Sequence, residues 1–404
     1  MAFNISGWNA GIPSSPKGAS SNNSNVVNTT ADHYYSTTDP SGEVVTSGYF
    51  NAVRDTLSLN DVIYCGCSDD VICLRVSSVS RSNNLLTVPF NVGAESVYNV
   101  MDFGAKGDGV TNDSTAIQSA LDAAEDSGGG EVFIPYSSSG YYCSSSISIP
   151  SFVELKLGRW TTVFTDQNAL LLDVQDTAVV DGGVWLNTNG SLTSTTPIVQ
   201  QELSVNPNLG ASRQWSWGLS NMTIKGASSS NRLGIGLKLS VPLISGDSAA
   251  IQWGAFNNIQ FFGLHTGLLF SGDEDTGESN FINGNSFSSL FFANCVKGID
   301  FIDLGVGGGQ VSFNENTFDG IIFQSNSSST DVIDAAATDA VKGNLFNNVV
   351  VFDWGNAAET VAITFGNQSS LPNAISGLVG LYDDEITLGA GNGLSPDTLP
   401  TGPR

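Results

Sequence analysis

Between residues 131 and 365 apolar side chains alternate with Asn, Ser, Thr and Gly, and Phe, Ile, Leu and Val make up most of the apolar set. Alternation among β-branched and aromatic residues predicts short strands rather than helices. The strands also repeat. Phe256, Phe287, Phe318 and Phe346 are each followed three positions later by a second apolar residue: Ile259, Leu290, Ile321 and Val349. These phenylalanines follow one another by 31, 31 and 28 residues, and a fainter member, Leu219 with Met222, lies 37 before the first. Each unit carries a further apolar strand, and two of its members, Phe270 and Phe301, are again 31 apart.

A register near thirty residues marks a repeat architecture. Each unit is too short to bury its apolar face alone and has to stack on its neighbours. Two or three short strands per turn, stacked, give a parallel β-solenoid: Phe, Ile, Leu and Val columns inside, small polar groups outside. A β-sandwich would instead show turn signals every ~8–12 residues. The Leu-x-x-Leu-x-Leu series of leucine-rich repeats is missing. The solenoid is expected to start near Glu131 and run to about Phe365, with the four lead phenylalanines in one interior column.

Upstream, residues 1 to about 45 are rich in Asn, Ser, Thr and Gly with few apolar anchors and read as an extended arm. From Gly48 to about Asn91 short apolar runs predict a small β module. Then comes Asp102-Phe-Gly-Ala-Lys-Gly-Asp-Gly-Val-Thr-Asn-Asp-Ser114. A helix follows, capped by Asp113 or Ser114, with Ile117 and Leu121 on its buried face. Gly128, Gly129 and Gly130 end it, and Val132-Phe-Ile-Pro135 opens the first solenoid strand.

This order of motif, helix, glycines and strand resembles the opening of the pectate-lyase-like superfamily over about 60 residues. The resemblance implies an all-β fold: a right-handed parallel β-helix with a short capping helix and a small N-terminal β module. The motif specifies the fold and not the chemistry, and its Gly and Asp residues read as turn-makers and caps. An arm and a β module before the helix make the chain similar to a bacteriophage tail spike. That likeness implies residues 1–95 as a virion attachment part, 96–377 as a glycan-facing β-helix and 378–404 as a C-terminal tip. It also implies a homotrimer, a host cell-surface polysaccharide and other virion tail proteins as partners, and residence in the virion tail after synthesis in the host cytoplasm.

Composition narrows the function. With 39 acidic and 14 basic residues in 404 the net charge is −25, which disfavours nucleic acid as a partner. No apolar run is long enough for a transmembrane helix. The first residues have neither the basic start nor the apolar core of a secretory signal. Five dispersed cysteines are no disulfide framework and read as buried free thiols. Cys65-Gly-Cys67 has no histidine near it, so neither metal nor cofactor is expected.

The acid and base motifs of polygalacturonase-type members are missing, and the scattered Lys and Arg disfavour lyase chemistry on uronic acids. Glycoside hydrolysis needs a pair of carboxyls. Asp303 and Asp334, 31 apart, are expected on adjacent turns, and with Asp273 they form the candidate catalytic column. Glu315 and Asp319 are a second candidate pair. For sugar stacking the candidates are Trp215, Trp217 and Trp253, with Trp160, Trp185 and Trp354 as further indoles. Two readings stand: a depolymerising glycosidase, or a non-catalytic receptor-binding or structural tail protein.

Overall fold

The computed structural model describes residues 8–9, 32–46, 48–57, 62–69, 71–78, 86–89, 97–175, 177–202, 218–228, 232–243, 249–274, 280–305, 307–309, 311–324, 331–335, 340–352, 363–366, 372–379, 386–388 and 392–394. The chain divides into two compact units, one of Met1–Ser96 with Asp126–Gly130, the other of Val97–Glu125 with Glu131–Arg404.

In the first unit the strands Trp8–Asn9, Asp32–Ser36, Val62–Gly66, Val71–Ser78 and Leu86–Pro89 are neighbours in that order in one sheet. Tyr35, Phe50, Ile63 and Leu74 are buried in its core. The module therefore begins earlier than the arm-like composition suggests. Tyr35, in the second strand, and Val44, in the helix Ser41–Val44, are the anchors that fix residues 32–44 to it. The Tyr49 hydroxyl donates to Asp39 Oδ2 at 2.6 Å, which satisfies a buried carboxylate.

The second unit is a parallel β-helix. Its inner columns follow from strand register. Leu155, Val180, Leu219, Phe256, Phe287, Phe318, Phe346 and Ile375 are successive partners along one face. A second column on the same bent sheet passes through Val163, Trp185, Ile224, Phe261, Phe292, Phe323 and Val351. The opposing sheet contributes Ile147, Leu172, Val199, Leu237, Leu268, Ile299, Ile333 and Ile363. The lead phenylalanines stack as expected: centroids are 4.6, 4.7 and 4.4 Å apart, with planes within 10°. Each ring buries area worth ~1.5–3 kcal/mol by transfer.

Two further ladders hold the turns in register. Inside, Asn285, Asn316, Asn344 and Asn373 are buried and in line. Each donates its side-chain amide to the Oδ1 of the next Asn at 3.0–3.1 Å, and the row ends on Asn392. Each also donates to a carbonyl of an earlier turn (Ile251, Ile282, Phe313, Val341), so the side-chain amides of this row are satisfied. Outside, the bend between two strand segments is left-handed at Asn221, Asn258, Ser289, Gly320, Asn348 and Gly377, with φ between 52° and 68°. Asn and Gly tolerate that conformation best.

The helix Ser114–Asp126 buries Ile117, Ala120, Leu121 and Ala124 in the same core as the first turn. Asn112 Oδ1 accepts from Ser114 N, whereas the Asp113 carboxylate accepts from Lys106 N and Gly107 N and braces the glycine turn. Asp108 likewise accepts from Val110 N and Thr111 N, the turn-making role expected of it. The solenoid extends beyond both expected ends. Val97–Asn99 pairs with the strand Gly130–Ile134, while Ile386–Leu388 and Gly393–Leu394 add in parallel to earlier strands of the same chain. Cys65, Cys143 and Cys295 are buried, and burial pushes the thiols of the last two up to about 12.

Candidate functional site

The outer surface carries two features of chemical interest. The first lies at the left-handed bend in the early turns. Between the paired positions Lys156/Asp181 and Thr162/Val184 one turn uses five residues, 157–161, where the next uses two, 182–183. The turn after that also uses two, 221–222. The three extra residues push Arg159 and Trp160 outward. Trp160 has φ 65° and is 69% exposed, and the Arg159 guanidinium lies 5.6 Å from its ring centroid.

Beneath this overhang is a groove of about 410 Å³, lined further by Asp181, Gly183, Asn221, Asn258 and Gln260. That volume falls within the ~300–1,000 Å³ of small-molecule sites. Its lining is joined by hydrogen bonds. Asn258 Nδ2 donates to Asn221 Oδ1 at 2.9 Å. Asn221 Nδ2 donates to Asp181 Oδ1 at 2.6 Å, and Ser220 Oγ adds a 2.7 Å bond to the same oxygen. Gly183 suits that place because its φ of 90° is one that residues with a Cβ rarely adopt. An exposed indole above a row of fixed amides and a carboxylate can stack on a sugar face and hold its hydroxyls.

The second feature is the outward row of the opposing sheet: Asp173, Gln200, Lys238, Leu269, Asp300, Asp334 and Thr364 in register. The expected column of Asp273, Asp303 and Asp334 is not what forms. Asp303 pairs with Gly272, whereas Asp334 pairs with Asp300. The step from Thr266 to Lys297 is 31, but from Lys297 to Asp331 it is 34, so the connection adds three residues and the phase slips. Asp334 instead accepts from Lys297 Nζ at 2.7 Å, with Asp300 at 3.1 Å and Asp331 at 4.0 Å from the same ammonium. Burial works against the Lys297 charge, but Asp334 and Asp300 outweigh it and raise its pKa. Burial raises Asp300, although Lys297 partly offsets this.

Asp273 is 4% exposed, and its Oδ1 accepts from Glu274 N and Gly307 N. Asp303 is raised chiefly by burial, with the Asp273 charge adding to the effect and the Gly305 N–H opposing it. Asp273 and Asp303 are thus neighbours, and Asp334 belongs to the Lys297 cluster. Of the second candidate pair, Asp319 accepts from Asn348 Nδ2 at 2.7 Å and Glu315 is exposed at φ 58°. Trp215, Trp217 and Trp354 lie outside the described residues. Trp253 is half-buried at φ 56°, with its indole 3.1 Å from where a Gly284 Cβ would be. Trp185 is fully buried and donates Nε1–H to Gly182 O. Among the described residues no group of three or more His, Cys, Asp or Glu is placed to hold a metal ion.

Parallel ladders, an internal asparagine row and a helix at the first turn define a pectate-lyase-like β-helix. The chain belongs to the family described as rhamnogalacturonase A/epimerase, pectate lyase-like, whose model matches residues 97–322. Alginate lyase 7 of Azotobacter vinelandii is 66% identical over 38 residues, which is 9% of this chain and 4% of that protein. The chain thus spans only a small part of the curated relative it matches. Geobacillus virus E2 ORF18 is 18% identical with a TM-score of 0.35, covering 86% of this chain and 71% of that one. The enzymatically active domain of bacteriophage CBA120 tailspike protein 2 is 13% identical with a TM-score of 0.32, covering 88% and 53%. Scores this low add nothing to the registers above.

Proposed function

We propose that this chain is a tail-spike-like protein whose β-helix engages a host surface polysaccharide, with the groove under Trp160 taking part of the glycan. The observation that carries this is the placement of Trp160. A left-handed non-glycine residue costs roughly 1–2 kcal/mol, and a 69% exposed indole recovers little of that by packing. Membership of a family described by a rhamnogalacturonase supports a polysaccharide as the ligand class. Residues 1–95, a compact unit of their own, are the attachment part toward other virion tail proteins, and the spike is a homotrimer. Trp253, with Trp215 and Trp217, remains proposed as a further sugar contact.

A second reading, glycoside hydrolysis, is favoured by one observation. Asp303 holds its proton more tightly than an ordinary carboxyl because it is partly buried beside Asp273, as a general acid must. Asp334 pairs with Lys297 at 2.7 Å.

The test uses the full chain on an array of bacterial envelope polysaccharides, with rhamnogalacturonan and mannuronan included. Wild type is expected to bind at least one glycan, and Trp160→Ala to weaken that at least tenfold with melting unchanged. Binding to no glycan, or equal binding by the variant, overturns the groove. New reducing ends that form without an unsaturated, ultraviolet-absorbing sugar end and disappear in Asp303→Asn establish hydrolysis. Binding without new ends leaves the receptor-binding reading.

A further inference from the structure

A corner of the solenoid precedes the strands Ala255–Phe262, Ser286–Ser288, Thr317–Gln324 and Leu345–Phe352. Entering it, Gln252, Asn283, Asn314 and Lys342 form one outward row in register. The next residue of each turn is left-handed: Trp253, Gly284, Glu315 and Gly343, at φ 56°, 65°, 58° and 65°. Two of the four turns use glycine, which takes that conformation readily. Tryptophan and glutamate do not. The turn itself needs neither side chain, and strain of this kind gathers at ligand sites.

The two strained residues border one patch. The Trp253 indole reaches over the following turn, where its Cδ1 and Nε1 lie 3.1 Å from the position a Gly284 Cβ would take. Glu315, which is exposed, stands one turn beyond Gly284, at the ~4.8 Å strand spacing. Beside it Asn314 Oδ1 is buried and has no hydrogen-bond partner among the described residues. The same atom of Asn283, one turn earlier, accepts from Gln252 Nε2 at 2.7 Å. A buried acceptor left unmade is costly unless a ligand supplies the donor. Lys342 is half-buried one turn past Asn314, and neither it nor Glu315 has an ion-pair partner among the described residues.

We infer that this corner is a second sugar site, separate from the groove under Trp160, and that it takes one neutral pyranose unit. The ring face stacks on the Trp253 indole, hydroxyls donate to Asn314 Oδ1 and the Glu315 carboxylate, and a further hydroxyl accepts from Lys342. The chemistry of the patch selects this ligand. An indole offers apolar area to the C–H face of a sugar. Two acceptors and one donor beside it suit hydroxyls, which can both donate and accept. A uronate would bring its carboxylate up to Glu315 on a chain of net charge −25. A flat aromatic ligand could stack on the indole but would leave Asn314 Oδ1 without a donor.

The site deepens the proposed function and rests on it only for the ligand class, a sugar. The test is fluorine NMR on the full chain with fluorotryptophan incorporated, where the resonance missing from Trp253→Phe reports the corner. Should Trp253→Phe fold poorly, the resonance displaced in Glu315→Gly without ligand identifies the same indole. Methyl glycosides of glucose, galactose, mannose and N-acetylglucosamine are the neutral probes, and methyl galacturonide is the acidic one. At least one neutral probe is expected to move the Trp253 resonance at millimolar concentration, and the galacturonide is not. Glu315→Gly gives that turn the residue its two neighbours already use. It should weaken the neutral probe roughly tenfold, the worth of one hydrogen bond to a charged group, without lowering the melting temperature. Trp160→Ala should leave the Trp253 shift in place, so failure of the groove and failure of the corner are told apart. A Trp253 resonance that no neutral probe moves overturns the inference, as does one moved by the galacturonide alone. So does a shift that Glu315→Gly leaves as strong, a Glu315→Gly protein that melts lower, or a shift lost with Trp160→Ala.

Discussion

The early and late turns of this solenoid obey one strand register yet differ in almost every other respect. From Leu155 through Val180 and Leu219 to Phe256 the steps are 25, 39 and 37 residues. From Phe256 onward they are 31, 31, 28 and 29. The uneven half fills its core with Leu, Val and Trp and extrudes Trp160 over a groove. The even half repeats Phe on Phe and Asn on Asn. Regular spacing lets identical side chains meet and stack, which favours a stiff core. Irregular spacing creates overhangs such as that of Trp160.

The largest effect that would sharpen this contrast is in the even half. Phe318→Ala removes a ring stacked on both neighbours, at 4.7 Å from Phe287 and 4.4 Å from Phe346. It should cost ~3–5 kcal/mol, read as a shift in denaturant midpoint at unchanged slope. A loss below ~1 kcal/mol would mean that the stack tolerates gaps as the uneven turns do.

Next is the asparagine row. Asn316 Oδ1 accepts from Asn285 N and Nδ2, while its own Nδ2 donates to Ile282 O. Asn316→Ala leaves the buried Asn285 N–H without an acceptor and should cost about 1–3 kcal/mol. Hydrogen exchange at Asn285 is expected to quicken more than exchange at Val180 in the uneven half.

The smallest effect is on pH. Asp173 and Asp300 are raised by burial, with Glu202 adding to the first and Asp334 and Asp331 to the second, and Asp303 is raised by burial and Asp273. Each binds its proton more tightly folded than unfolded. The penalty for ionisation is fully present above the folded pKa and disappears as pH falls to the ordinary value near about 4. Acidification toward pH ~4 should therefore raise the melting temperature, and part of that rise should be absent in Asp300→Asn.

Much of the fold was legible because it rests on short-range repetition. The Phe spacing located an interior column, and Asp108 and the glycines around it located the cap. The asparagine row was also in view, since Asn285, Asn316 and Asn344 each stand two residues before a lead phenylalanine. It reads as an outward polar ladder until register shows each amide satisfied by the next turn. The candidate site was less legible for the opposite reason. The Trp160 overhang comes from three surplus residues in one turn, which count as surplus only against the two turns that follow. Asp334 left its expected place through an equal surplus before Asp331. Both depend on how one turn compares with another, and the uneven half gives no period from which to measure.

The helix Ser114–Asp126 seals the first turn, while each later turn pairs mainly with the one made just before it. Each turn therefore needs only a folded neighbour as its template, as in other repeat architectures. The connection each turn must close is set by its own step of a few tens of residues, not by the length of the molecule. A solenoid built this way can be lengthened by duplicating whole even turns while the groove beneath Trp160 stays near the sealed end.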